Sequence, residues 1–158
     1  MIIDGALQFS GTAGVAGSTD SPTTGTQQST NIIDLVASRD MGIGDNPAMK
    51  LLVQVGTTFL SGTSLQIQFQ GAPNNAGSPG TWTTYAESAA IVEADLISGR
   101  SYLLPIDVPR PPPGSALPRF YRLQYVSAGT HTAGAIFAAL VLDRQDYVVY
   151  PAGIVILN

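Results

Sequence analysis

Cysteine is absent from this 158-residue chain, which excludes disulfides and thiolate metal sites. Charge is scarce: Asp, Glu, Lys and Arg make up 11%, less than half the usual share. Lys50 is the one lysine, and the arginines are scattered without forming a run. With a net charge of −4, this argues against nucleic-acid binding, which needs clustered cations to neutralise phosphates. His131 is the one histidine. A histidine metal site usually needs several, and a catalytic triad needs one beside a nucleophile and a buried acid. The longest apolar run, within "AGAIFAALVLD", is too short to span a bilayer. The start "MIIDGALQFS" lacks the basic and continuous apolar regions of a signal peptide. The expectation is a soluble protein made in a cytoplasm, with no membrane partner.

What is present is apolar enough to fold. Apolar residues are 44% and mean hydropathy is +0.19, too high for a disordered chain. The length fits one domain with a sizeable core. With so little charge, the surface must be built from Gly, Ser, Thr, Gln, Asn and Pro. Such a surface repels its neighbours weakly.

The dominant period is two. In "SLQIQFQG" (64–71), Leu65, Ile67 and Phe69 face one way, and Gln66, Gln68 and Gln70 the other. "RFYRLQYV" (119–126) places Tyr121, Leu123 and Tyr125 on one face, with Arg122 and Gln124 opposite. "MKLLVQVG" (49–56) and "GAIFAALVLDR" (134–144) run more continuously apolar; the latter reads as a strand covered on both faces. "TTFLSGT" (57–63) and "SAGTHTAG" (127–134) read as the links between these strands, and His131 as an exposed loop residue. Shorter strands are expected at "ALQFS", "TNIIDLV" (30–36), "TWTTYAES" (81–88), "SYLLPIDV" (101–108) and "YVVY" (147–150). "AAIVEADLISG" (89–99) is either a turn or two of helix stopped by Gly99 or a strand and a short turn. With roughly eight short strands between Gly/Pro-rich loops, the chain reads as an all-β sandwich or barrel. One domain over 1–158 is the simplest account. Residues 11–28 form a flexible Gly/Ser/Thr-rich excursion.

The proline cluster "PRPPPGSALP" (109–118) cannot be a central strand, because each proline removes a donor and fixes φ. It reads as a stiff loop that also offers a preformed contact surface. Arg110 and Arg119 there are able to meet carboxylates on a partner.

No nucleophile elbow or Walker loop occurs. "GIG" (42–44) is followed by no helix and reads as a turn. Asp40 and Asp45 in "DMGIGDN" lack calcium-loop spacing. Glu87, Glu93 and Asp95 suggest paired glycosidase carboxylates, but the chain has only two glutamates and no aromatic cluster accompanies them. Trp82 beside Tyr85 offers at most a small sugar platform. The expectation is no enzyme, no cofactor and no metal.

Three stretches together carry a resemblance. They are "MIIDGALQFSGTAGV" with "STNIIDLVASRDMGIGDNPAMKLLVQV", then "LISGRSYLLPIDVP", then "PRFYRLQYVSAGTHTAGAIFAALVLDRQ". Their order and spacing resemble the capsid cement (decoration) proteins of short-tailed double-stranded DNA bacteriophages. The resemblance implies a jelly-roll-like β-sandwich that trimerises on the outside of an icosahedral head and clamps the major capsid protein lattice. It carries no single binding residue across. Interface candidates therefore come from local chemistry: Ile2, Ile3, Leu7 and Phe9 in an apolar N-terminal arm or first strand, Arg110, Pro111 and Pro112 on the stiff rim, and Ile154 and Ile156 in an apolar tail. The alternatives are a carbohydrate-binding sandwich module and a phage tail or baseplate component.

Overall fold

The computed structural model describes residues 3–15, 17–38, 49–101, 103–104 and 107–141. Two long antiparallel strands organise it: β4 (Lys50–Ala72) and β9 (Phe120–Val141), paired along nearly their whole lengths. Around them lie β1 (Ile3–Gln8), β2 (Thr24–Gln28) and β3 (Ile33–Asp34), all paired to β9. On the other side β7 (Thr83–Glu87) and β8 (Ile91–Val92) pair with β4. A separate small ribbon joins β5 (Asn74–Asn75) to β6 (Ser78–Pro79). The fold is all-β and sandwich-like, as the period-two pattern implies.

The strand inventory differs from the sequence reading. Four expected short strands are two long ones, because the chain does not reverse at 57–63 or 127–134. Instead the β4–β9 register shifts repeatedly between Val55 and Ser64, and the paired strands turn a corner together. Glycines make the corner possible. The His131 ring lies against Gly62 and the Phe59 ring against Gly134, where any Cβ would collide with the ring. Phe59 and His131 then meet edge to face, centroids 5.0 Å apart. His131 is thus buried within β9, 2% exposed, and is not a loop residue. Its Nε2 lies 3.4 Å from the Ser64 carbonyl oxygen.

The corner folds the sheet over on itself. One half holds β1, the start of β4 and the end of β9; the other holds β2, β3, the rest of β4 and β9, β7 and β8. One core fills the space between them. Phe9, Leu51, Val53, Ile136 and Leu140 come from the first half; Leu65, Ile67, Phe69, Leu123 and Tyr125 come from the second. Phe9 and Phe69 meet across it edge to face at 6.0 Å. Each such side chain contributes roughly 1.5–3 kcal/mol through burial.

Three smaller expectations change. Residues 89–99 take the strand-and-turn alternative: β8, then one 3-10 turn at Glu93–Asp95. Of "SYLLPIDV", Leu103, Leu104 and Val108 are buried, but the one strand-like feature described is the Asp107–Lys50 bridge. Residues 11–28 contain β2, and Asp20 ties the rest down. Its carboxylate accepts from the Gly11 N–H (2.8 Å), the Thr30 hydroxyl (2.6 Å) and the Tyr125 hydroxyl (3.0 Å). Burial, reinforced by the Asp20 charge, pushes the Tyr125 phenol well above its ordinary pKa. The expected strand at 147–150 lies outside the described residues.

Candidate interaction surface

The alternation that buries Leu65, Ile67 and Phe69 turns the intervening glutamines outward, and antiparallel pairing sets them beside the outward residues of β9. The result is a row of polar side chains crossing four strands. Arg122 stands at its centre. Its Nε–H donates to Gln70 Oε1 (2.9 Å), Nη1 to Gln28 Oε1 (2.7 Å) and Nη2 to Gln124 Oε1 (3.2 Å). Gln124 Nε2 passes a hydrogen bond to Gln68 Oε1 (3.2 Å), and Gln68 Nε2 to Glu87 Oε2 (3.1 Å). Gln70 Nε2 donates to Thr84 Oγ1 (3.1 Å).

The two ends set the direction of the row. A guanidinium only donates, so each amide touching Arg122 turns its oxygen toward it; a carboxylate only accepts, so Gln68 turns its nitrogen toward Glu87. Cation and anion are linked by aligned amides, which polarise one another. The Trp82 ring covers the guanidinium at 4.2 Å. Partial burial lowers the Arg122 pKa from its usual value without threatening its charge. Among the described residues the partners of Arg122 are three amides and an indole, none of them charged, in contrast to Arg119 and Arg100. Arg119 grips Asp34 with two bonds of 2.7 and 2.8 Å, and Arg100 pairs with Asp95 at 3.2 Å. Arg119 therefore spends its fork on Asp34 of its own chain.

Trp82 and Tyr85 do not form a joint platform. Tyr85 turns inward against Phe69 and Tyr121, while Trp82 lies on Arg122. Glu87 belongs to the amide row and Asp95 to an ion pair, so they share no partner. Among the described residues no group of three or more His, Asp or Glu side chains is placed to hold a metal ion. An open cleft of about 580 Å³ lies between β1, the 13–14 turn and residues 30–33, lined by Gly, Ala, Gln8, Thr30, Asn31 and isoleucines. It brings together no acid, base or nucleophile suited to chemistry.

The interface candidates scatter. Ile2, Ile154 and Ile156 lie outside the described residues, as do Asp40, Asp45 and "GIG". Ile3 opens β1, its backbone paired with Val141. Leu7 is half-buried against the core and Phe9 is completely buried in it, so both use apolar surface within this chain. Arg110 is exposed, and Pro111 and Pro112 are half-buried ahead of a turn closed by Ser115 onto the Pro112 carbonyl. Leu7, Phe9, Pro111 and Pro112 stand apart from the amide row. The sequence shows Gln66, Gln68, Gln70, Arg122 and Gln124 as outward-facing; their assembly with Gln28 and Glu87 depends on long-range register.

Comparison with known families covers this surface. The family model Bbp16 matches residues 18–141, a span that holds every member of the row from Gln28 to Gln124. The chain belongs to the Bbp16 family. That name points to a bacteriophage protein. No curated protein matches the chain. The Bbp16 match begins after β1, so Phe9 and the N-terminal strand complete a core whose remaining strands all lie within the family span.

Proposed function

We propose that this chain is a structural virion protein that binds the outside of an icosahedral phage head as a homotrimer and stabilises the major capsid protein lattice against the pressure of packaged DNA. The observation that carries the reading is membership of the Bbp16 family over residues 18–141, with its bacteriophage name. The resemblance of the N-terminal, middle and C-terminal stretches to capsid cement proteins narrows it to the head. The physics is linkage. A protein that binds the assembled lattice better than free subunits stabilises the lattice, and many copies on a symmetric shell turn weak contacts into avidity. A doubled sheet with one continuous core suits a clamp, because it resists deformation. A face of pre-aligned amides and one tryptophan-backed arginine suits contact, because few side chains need ordering on binding. The role requires no catalytic residue, cofactor or nucleic acid.

The test is direct. Heads assembled without this chain should lose DNA at lower temperature and milder osmotic shock than heads that carry it, and adding the purified chain back should restore them. Heads equally robust in both states would end the proposal. Sedimentation of the purified chain should show a trimer.

A further inference from the structure

Among the described residues, the second half of the folded sheet has two open ends. Its strands run in the order β2, β9, β4, β7, and among the described residues β9 is the one strand beside β2 and β4 the one beside β7. Both end strands are five residues long. The Ser29 N–H donates to the Leu123 carbonyl at 2.8 Å, so the alternation of an antiparallel ladder turns the N–H and C=O of Thr26 and Gln28 away from β9. The Ser88 N–H donates to Ile67 at 2.9 Å, which likewise turns the backbone groups of Glu87 away from β4. Neither strand carries the proline or lysine with which exposed edges are usually protected.

The side chains at the two ends are complementary. Gln28 accepts from Arg122 through Oε1, and no described residue accepts from its Nε2. Glu87 accepts from Gln68 through Oε2, and no described residue donates to its Oε1. Among the described residues the row thus ends in a free donor at β2 and a free acceptor at β7, on the same face. We infer that β2 of one copy pairs antiparallel with β7 of a second copy, so that identical chains join head to tail and close into a ring. Four alternating strands leave β2 and β7 running in opposite directions, so the joined sheet stays antiparallel without inverting either chain. The Gln28 amide then donates to Glu87 of the neighbouring copy, and the amide row continues from chain to chain. A two-fold β2–β2 contact would set amide against amide and leave β7 open; the head-to-tail contact satisfies both edges. Contacts of this kind make rings when the rotation closes. The inference rests on the oligomeric part of the proposed function and names the surface that forms it.

Two proline variants test it. Thr26→Pro and Glu87→Pro each remove an outward N–H while leaving the inward ladder bonds in place. Each variant alone should sediment as a monomer with a near-wild-type thermal melt. Mixed, they should form a one-to-one pair, because each retains the edge the other has lost. Hydrogen exchange on the wild-type oligomer needs no variant: the Thr26, Gln28 and Glu87 amides should exchange at least about tenfold more slowly than in the dissociated chain. A trimer that survives both substitutions, or edge amides that exchange freely within the oligomer, overturns this inference and leaves the trimer standing. Variants that stay monomeric when mixed overturn the head-to-tail pairing. A wild-type chain that is monomeric throughout overturns the trimer and the ring together.

Discussion

β4 and β9 build both halves of the folded sheet, yet the outer faces of those halves are opposites. In the first half Leu52, Phe137, Ala139 and Val141 form a second apolar cluster, each at most 7% exposed. In the second half the corresponding face is Gln66, Gln68, Arg122 and Gln124, all half-exposed; Arg122, Gln124 and Gln68 are hydrogen-bonded in series, and Gln66 donates to the Ser88 carbonyl. The same two strands are therefore covered on both faces in the first half and on one face in the second. Each sequence pattern says so: continuous apolar residues in "LLV" and "AIFAALV", strict alternation in "LQIQFQ" and "YRLQYV". The lesson is a division of labour. One half anchors the fold, and the other offers a polar surface at little cost to stability.

The largest break in that comparison comes from the core the halves share. Phe69 touches Phe9, Tyr85 and Tyr121, joining the first half to the second. Phe69→Ala should cost about 3–5 kcal/mol in urea denaturation. A loss below about 1 kcal/mol would mean the halves do not depend on one packed interior. The sharper contrast is a reciprocal exchange on the two outer faces. Leu52→Gln puts an amide into an apolar cluster and should cost roughly 1–3 kcal/mol or more. Gln68→Leu replaces a half-exposed amide at a face open to water and should cost under about 1 kcal/mol. Equal losses from the two exchanges would erase the distinction between the faces.

The corner is the next target. A Cβ on Gly62 meets the His131 ring, so Gly62→Ala should cost about 1–3 kcal/mol by overpacking. Adding His131→Ala should recover part of that loss, giving a double-mutant coupling of at least about 0.5 kcal/mol. Strict additivity would show that glycine and ring do not bear on each other.

This corner is also where the sequence was least legible. Clusters such as "TTFLSGT" and "SAGTHTAG" have the same composition whether a chain reverses direction or bends through a bulged corner with its partner. What separates the two outcomes is the opposing strand: Gly62 needs His131 and Gly134 needs Phe59, pairs far apart in sequence. The burial of His131 has the same origin, since the strand that covers it is remote in sequence. Asp20 shows the converse. It sits in a stretch poor in large apolar residues, yet it is buried because Gly11, Thr30 and Tyr125 converge on it. The outward direction of the glutamines could be read from local alternation; their junction with Gln28 and Glu87 could not, because it is set by register across four strands.

The smallest expected effect lies at the exposed end of the second half, where Arg119 on the loop entering β9 meets Asp34 on β3. The hydrogen bonds from Arg119 hold the Asp34 carboxyl below its ordinary pKa. A carboxyl depressed in the folded state stabilises the fold above its unfolded pKa, and that contribution fades as pH falls through the folded value. Asp34→Asn should therefore lower the melting temperature slightly at neutral pH, and wild type and variant should converge in acid below the usual carboxylate range. Salt should narrow the neutral-pH difference, because the pair is open to solvent. A gap that stays constant from neutral to acid pH would show that the carboxylate charge contributes nothing there, and that shape alone holds β3 against β9.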